Sequence, residues 1–244
     1  QRRAAQFLNH PYGTPIIGWR HEMEGLTRDD AVAWYQKYYA PNNAILIVAG
    51  DVDPAEVQRL AETHFGPLKP SDGIAERIRP SEPPQLSERR MTYRDPRVSQ
   101  PYVMRTYIAP EREAGNQSDA AALTMLAEIL GGSSQTSVLG RKLTFDTKTA
   151  LYVSAFYDGT SYDDTTFGLV IVPADGVTLA DAETALDKAI ADFLETGVDP
   201  AQFARIKFQI TAGLIYGEDS TESLARSYGE ALTTGMTVAD VKAW

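Results

Sequence analysis

The sequence contains no cysteine and only three histidines. The absence of cysteine excludes disulfides, thiol catalysis and every metal site built on thiolates. His10, His21 and His64 are not part of an H-E-x-x-H or H-x-x-E-H motif, which would place two metal ligands on one helix face. We therefore expect no metal site within this chain, and we expect His64 to pack at the end of a helix.

Long apolar runs and a basic surface are also missing. No segment approaches the ~20 consecutive apolar residues that cross a bilayer. The formal net charge is −10, which argues against a nucleic-acid partner because phosphate binding requires a basic surface. There is no G-x-S-x-G motif, phosphate-binding loop or dinucleotide fingerprint, so hydride and phosphoryl transfer are not expected. We predict no membrane span and no bound nucleic acid.

The remaining composition is that of an ordinary globular protein, with 43% apolar and 23% charged residues in 244. Proline mixed with Ser, Asp, Glu and Arg fills the stretch after Pro67 and shows no sustained periodicity. This pattern predicts a linker over residues 68–90 between two regions, 1–67 and 91–244. The arginines in and beside the linker alternate with Glu and Pro, so we expect them to be solvated; they are Arg77, Arg79, Arg89, Arg90, Arg94 and Arg97.

Two helices and one strand are predicted in the first region. Thr27 and Asp30 resemble a capping box before a helical pattern, and Asp53 precedes a first-turn proline at the start of another helix. Between them, the wholly apolar residues 44–49 favour a strand that is covered on both faces.

The second region is predicted to contain both strands and helices. We predict strands at 102–108, 150–157 and 166–173, and helices at 119–130, 179–194 and from Asp199 towards Gly235, with a break at Gly217. The strands at 150–157 and 166–173 should form an antiparallel hairpin. The order of elements predicts an α+β fold with an antiparallel or mixed sheet backed by helices.

Several motifs resemble those of the pitrilysin/insulinase family of zinc metallopeptidases. In the first region they are NHPYGTPIIGW (9–19), LTRDD (26–30), YYAPNN (38–43) and IVAGDV (47–52). In the second region they are LGGSS (130–134), Arg141, YDG (157–159), Gly197 and the stretch 216–235. The second set is similar to the second half of the short bacterial members, which are related to mitochondrial processing peptidase.

The resemblance implies two α+β halves that close like a clamshell around unfolded peptides, with zinc bound in the first half. Residues 1–67 would then be the end of a truncated zinc-side half, and 91–244 a substrate-side half without its last helix and strand. The zinc motif would precede Gln1, so the full-length parent would be a zinc endopeptidase while this chain alone is inactive. The implied partners are the missing zinc-binding half, an extended peptide, and a paired family subunit or second copy. The compartment stays open between bacterial cytoplasm and periplasm.

The resemblance also implies an Arg and a Tyr that contact the substrate backbone. Arg141 is the candidate arginine, and Tyr152 or Tyr157 the candidate tyrosine. A guanidinium can donate to a peptide carbonyl and stabilise charge developing on it. The structural alternatives are a surface arginine and a packing tyrosine. At the level of function, the alternatives are a non-catalytic peptide-binding or scaffold subunit, and an interaction domain that shares only turn and capping motifs with the family.

Overall fold

The computed structural model describes all 244 residues. Its helices are α1 (Arg2–Gln6), α2 (Arg20–Gly25), α3 (Arg28–Tyr38), α4 (Pro54–His64), α5 (Ser118–Ala127), α6 (Leu179–Thr196), α7 (Pro200–Gly217), α8 (Thr221–Thr233) and α9 (Val238–Ala243). Its strands are β1 (Val103–Ala109), β2 (Ala150–Tyr157) and β3 (Thr165–Pro173). None of the helices is long and apolar enough to cross a membrane.

Local capping signals set the starts of the predicted helices. The Thr27 hydroxyl accepts from the Asp30 N–H (3.2 Å), and the Asp30 carboxylate accepts from the Thr27 N–H (2.9 Å), which confirms the capping box. The carboxylates of Asp53 and Asp199 each accept the backbone N–H two residues further on, at 2.8 and 3.0 Å. These bonds satisfy first-turn donors that have no partner within the helix.

The strand predicted at residues 44–49 is wrong. This segment pairs with no other part of the chain, and the sheet contains only β1, β2 and β3. Ile45, Leu46 and Val48 are 51%, 56% and 46% exposed, so the segment is not covered on both faces. An apolar run supplies strand propensity, but a strand also needs a neighbour for its backbone N–H and C=O groups.

The sheet is antiparallel throughout, with the order β1-β3-β2. Strands β2 and β3 form the predicted hairpin, and β1 adds to the free side of β3. Val103 and Val153 both lie opposite Ile171, and Val153 and Ile171 are fully buried. This row of side chains lies on the face that the helices cover, which confirms the α+β fold.

The core lies between that face and the helices α5 and α6. Two π-helical segments, Glu128–Gly132 and Gly140–Asp146, complete the helical layer. A side chain at Gly131 would place its Cβ 2.0 Å from the Ala155 nitrogen, so the first segment packs directly on the β2 backbone. The largest members of the core are Leu130, Leu139, Leu143, Val153, Phe167, Leu169, Ile171 and Leu186.

The chain divides into two compact units. The N-terminal unit contains residues 1–86 and 217–242, and the sheet unit contains residues 87–216 and 243–244. No helix or strand lies between His64 and Val103. The predicted division into 1–67, 68–90 and 91–244 stays a prediction.

Candidate functional site

An open cleft of about 530 Å³ lies between the π-helical segment Gly140–Asp146 and the C-terminal part of α6. Its lining combines apolar, charged and amide side chains, as ligand sites commonly do. The lining residues are Gln135, Val138, Arg141, Lys142, Phe145, Asp146, Ala189, Asp192, Phe193 and Thr196.

The π-helical segment places Arg141 in the wall of this cleft. Leu139 and Leu143 are buried in the core and anchor the segment. Gly140 has no room for a side chain, because its Cβ would lie 2.4 Å from the Ser134 carbonyl oxygen. Because the packing of these neighbours fixes the segment, Arg141 is held at the surface. The Phe145 ring lies in the same wall and is 52% exposed.

The charges in the cleft are not all paired. Asp192 accepts a hydrogen bond from the Lys188 ammonium at 3.0 Å, and the Lys142 ammonium lies 4.0 Å from its other oxygen. The Arg141 guanidinium makes no hydrogen bond or ion pair; only its backbone N–H is bonded, to the Ser137 carbonyl. Arg141 therefore has its full donor capacity available to a ligand.

Tyr152 lies on the other face of the sheet. It is paired with Val172 in β2 and β3, next to Val153, whose side chain points into the core. Successive side chains of a strand point to opposite faces, so Tyr152 points away from the helical layer, and it is 49% exposed. It does not line the Arg141 cleft.

Tyr157 packs against the core from the helix-covered face. Its hydroxyl donates to the Pro110 carbonyl oxygen at 2.5 Å. Burial, with the nearby carboxylates of Glu111, Asp119 and Asp158, raises the pKa of Tyr157 to about 12. The hydroxyl is engaged within the fold, and Tyr157 does not line the Arg141 cleft. The substrate-binding roles of Arg141, Tyr152 and Tyr157 all stay predictions.

Sequence reasoning did not identify the other side chains of the cleft. Phe145 and Lys142 are close to Arg141 along the chain, but Asp192 and Phe193 come from a helix some fifty positions away. The apolar stripe of α6 predicted the helix, but no local pattern linked its last turns to Arg141.

The histidines do not form a donor set for zinc. The His10 imidazole is buried, accepts from the Tyr12 N–H at 3.1 Å through Nδ1, and lies against the Phe7 and Tyr12 rings. His21 and His64 are exposed on separate helices, so the prediction that His64 packs is wrong. No group of three or more His, Asp or Glu side chains could hold a metal ion, and the residues of this chain therefore do not fit one.

An ion-pair network joins three parts of the sheet unit. The Arg90 guanidinium donates to both oxygens of Glu183 at 2.9 and 2.7 Å. Arg105 of β1 donates to Glu183 at 2.8 Å and also to Asp187. Arg90, which the sequence placed among solvated arginines, is thus paired. Hydrogen bonds from the two guanidinium groups lower the pKa of Glu183 to about 2.

The fold and the site together define an α+β half-domain in which no group of three or more His, Asp or Glu side chains could hold a metal ion. The sequence profile described as "Peptidase M16 inactive domain" matches residues 25–210. The chain belongs to the peptidase M16 family, which confirms the resemblance to pitrilysin/insulinase-type zinc peptidases.

Curated relatives carry zinc-protease and processing-peptidase names. The chain is 27% identical to the zinc protease PqqE of Helicobacter pylori over 93% of its own length and 50% of that protein. It is 24% identical to the mitochondrial-processing peptidase subunit beta of Lentinula edodes over 98% of its own length and 53% of that protein. The chain thus spans about half the length of these relatives.

Solved structures support the fold. A protease from Helicobacter pylori superimposes with a TM-score of 0.84 at 23% identity, covering 98% of this chain and 61% of that one. A peptidase M16 inactive domain from Pseudomonas fluorescens superimposes with a TM-score of 0.76 at 17% identity, covering 99% and 59%.

Proposed function

We propose that this chain is the peptide-binding, non-catalytic part of a zinc-dependent endopeptidase that acts on unfolded peptides. Its family membership and the names of its relatives support a peptidase parent. Because the donor set of this chain does not fit zinc, hydrolysis would require metal ligands from outside these residues.

The observation that carries the proposal is the unpaired guanidinium of Arg141 in a cleft with aromatic walls. A guanidinium donates to peptide oxygens, and Phe145 and Phe193 offer apolar surface to a peptide side chain. Holding an extended peptide in one orientation lowers the barrier of a reaction carried out elsewhere in the protein. Tyr152 is the second proposed contact; because it lies on the other sheet face and outside the cleft, it would meet a different part of the peptide.

A scaffold role in a pair of subunits is the second candidate. It is favoured by the relative from Lentinula edodes, whose name describes it as one subunit of a processing peptidase. In that case, the chain would support an active partner subunit without contacting the peptide substrate itself.

Peptide turnover by the full-length protein separates the two. Arg141→Ala is expected to reduce kcat/KM about tenfold, as the loss of one charge-assisted contact would, and Tyr152→Ala should reduce it as well. Arg205→Ala is the matched control, because Arg205 is exposed in the same unit and lies outside the cleft. Absence of bound zinc and of peptide turnover in the full-length protein would favour the scaffold. Zinc-dependent turnover that neither test variant lowers would contradict Arg141 and Tyr152 as substrate contacts.

A further inference from the structure

We infer that the Arg141 cleft binds the carboxy-terminal end of a peptide whose last residue is large and apolar. The inference rests on the proposed function, since it takes the cleft to be a peptide-binding site, and it names the part of the peptide that the cleft recognises. Three features carry it: the free guanidinium, the state of the neighbouring carboxylates, and the position of the aromatic rings.

The first feature is the shape of the available donor. Arg141 has a planar group that presents two parallel N–H donors, and nothing in the structure accepts from it. A carboxylate accepts from both donors at once, whereas a peptide carbonyl offers a single oxygen. A terminal carboxylate therefore uses this group more fully than an internal backbone carbonyl.

The second feature is the local charge. The cleft wall carries two carboxylates, but Asp192 is already held between Lys142 and Lys188. Asp146 is the other carboxylate, and no ion pair connects it to Arg141. The cleft lining thus carries two cations, Arg141 and Lys142, and two carboxylates, and Asp192 is the one that Lys142 approaches. The Arg141 guanidinium is left without an anionic partner, so an anionic group of a ligand can pair with it.

The third feature separates a chain terminus from an acidic side chain. Phe145, Phe193, Val138 and Ala189 give the cleft apolar walls beside the guanidinium. An apolar residue at a peptide's end presents a carboxylate and a large hydrophobic side chain from the same α-carbon. Aspartate and glutamate present the carboxylate with little apolar surface, and would leave these walls uncovered.

Binding of matched peptides tests the inference. One hexapeptide, labelled at its amino terminus with fluorescein and ending in phenylalanine, is prepared as the free acid and as the amide. A third peptide has an amidated terminus and an internal glutamate. Fluorescence anisotropy at low salt with the 244-residue chain is expected to show the acid binding about tenfold or more tightly than either amide.

Substitutions of cleft residues test whether the cleft causes the preference for the free acid over the amide. Arg141→Ala should bring acid and amide within about twofold of each other, and Arg141→Lys should retain part of the preference. Asp146→Asn should strengthen binding of the acid, while Arg205→Ala should leave the preference unchanged. Because the Arg141 side chain is exposed and makes no bond, its variants should melt at the temperature of the unsubstituted chain.

Two results would overturn the inference. Equal binding of acid and amide would mean that the cleft does not select a terminus, yet it would leave the proposed peptide-binding function standing. A full acid preference in Arg141→Ala, or no binding of any of the three peptides, would also refute it. The proposed function is judged separately, by peptide turnover in the full-length protein.

Discussion

Arg90 and Glu183 are 93 positions apart in the sequence and are joined by two hydrogen bonds of 2.9 and 2.7 Å. The Glu183 side chain is only 14% exposed and also accepts from Arg105 of β1. One carboxylate on α6 therefore holds the segment before β1 and β1 itself. This arrangement holds the segment around Arg90 against β1 and α6 within the sheet unit.

Replacing that carboxylate should weaken the sheet unit. Glu183→Gln removes the charge that two arginines share, and we expect the free energy of unfolding to fall by about 1 kcal/mol, because solvent screens the more exposed Arg90. Urea unfolding followed by circular dichroism measures the change. Glu222→Gln is the control, since its pair with Arg226 is exposed. An equal loss in both variants would contradict a special role for Glu183.

The Glu183 carboxylate should also make the free energy of unfolding depend on pH in the acidic range. Its pKa is about 2 in the folded chain and near 4.5 when unperturbed. Deprotonated Glu183 is thus favoured by folding, and its contribution is complete above about pH 5 and is lost as the pH falls towards 2. The difference in unfolding free energy between the unsubstituted chain and Glu183→Gln should shrink over this range. A difference that stays constant with pH would argue against the ion pairs.

Tyr157 should behave as a structural residue at high pH. Its pKa is raised from 10.0 to about 12, so its stabilising effect is complete below about pH 10 and is lost as the pH rises towards 12. Tyr157→Phe removes the hydrogen bond to Pro110, and we expect a loss of about 1 kcal/mol at neutral pH that diminishes above pH 10. Urea unfolding at several pH values checks this, and a variant as stable as the unsubstituted chain would contradict it.

Two glycine-to-alanine substitutions should change the free energy of unfolding in opposite directions. Gly131→Ala places a methyl group 2.0 Å from the β2 backbone, and we expect a loss of at least about 3 kcal/mol in unfolding free energy. Gly213→Ala has open space within α7 and should stabilise by about 0.5 to 1 kcal/mol. Thermal melts of both variants measure the difference, and a mild effect at Gly131 would contradict the close packing on β2.

The exposed apolar segment 44–49 should promote self-association. Unpaired backbone groups next to exposed aliphatic side chains are a template for strand addition. Analytical ultracentrifugation is expected to show concentration-dependent association that Leu46→Lys reduces. Leu194→Lys, at an exposed leucine of α6, serves as the control and should leave association unchanged. A monomer at all concentrations would refute the prediction.

Sequence reasoning succeeded where the signal was local. The caps at Thr27, Asp53 and Asp199 depend on residues within three positions, and the β2–β3 hairpin depends on two neighbouring apolar stretches. These interactions join residues that are close in the sequence, so the residues themselves predict them.

Sequence reasoning failed where a segment distant along the chain decides the local structure or the contacts of a side chain. Residues 44–49 have the composition of a strand but no neighbour to pair with. The π-helical segment Gly140–Asp146 has no period that marks it in a sequence, although it places Arg141 opposite Asp192 across the cleft. Arg90 is exposed, as predicted, but its pairing with Glu183 could not be predicted because the two residues are 93 positions apart. The resemblance indicated Arg141, but not the side chains around it.

The central strand β3 is connected to β2 by a short hairpin loop. It is separated from β1, its other neighbour, by the whole stretch from Ala109 to Thr165. Closing the longer loop costs more chain entropy, so β2 and β3 should associate first during refolding and β1 should dock last. Amides of Val103–Ala109 would then gain protection from hydrogen exchange later than those of the hairpin. The sheet would thus assemble in an order opposite to the direction of synthesis.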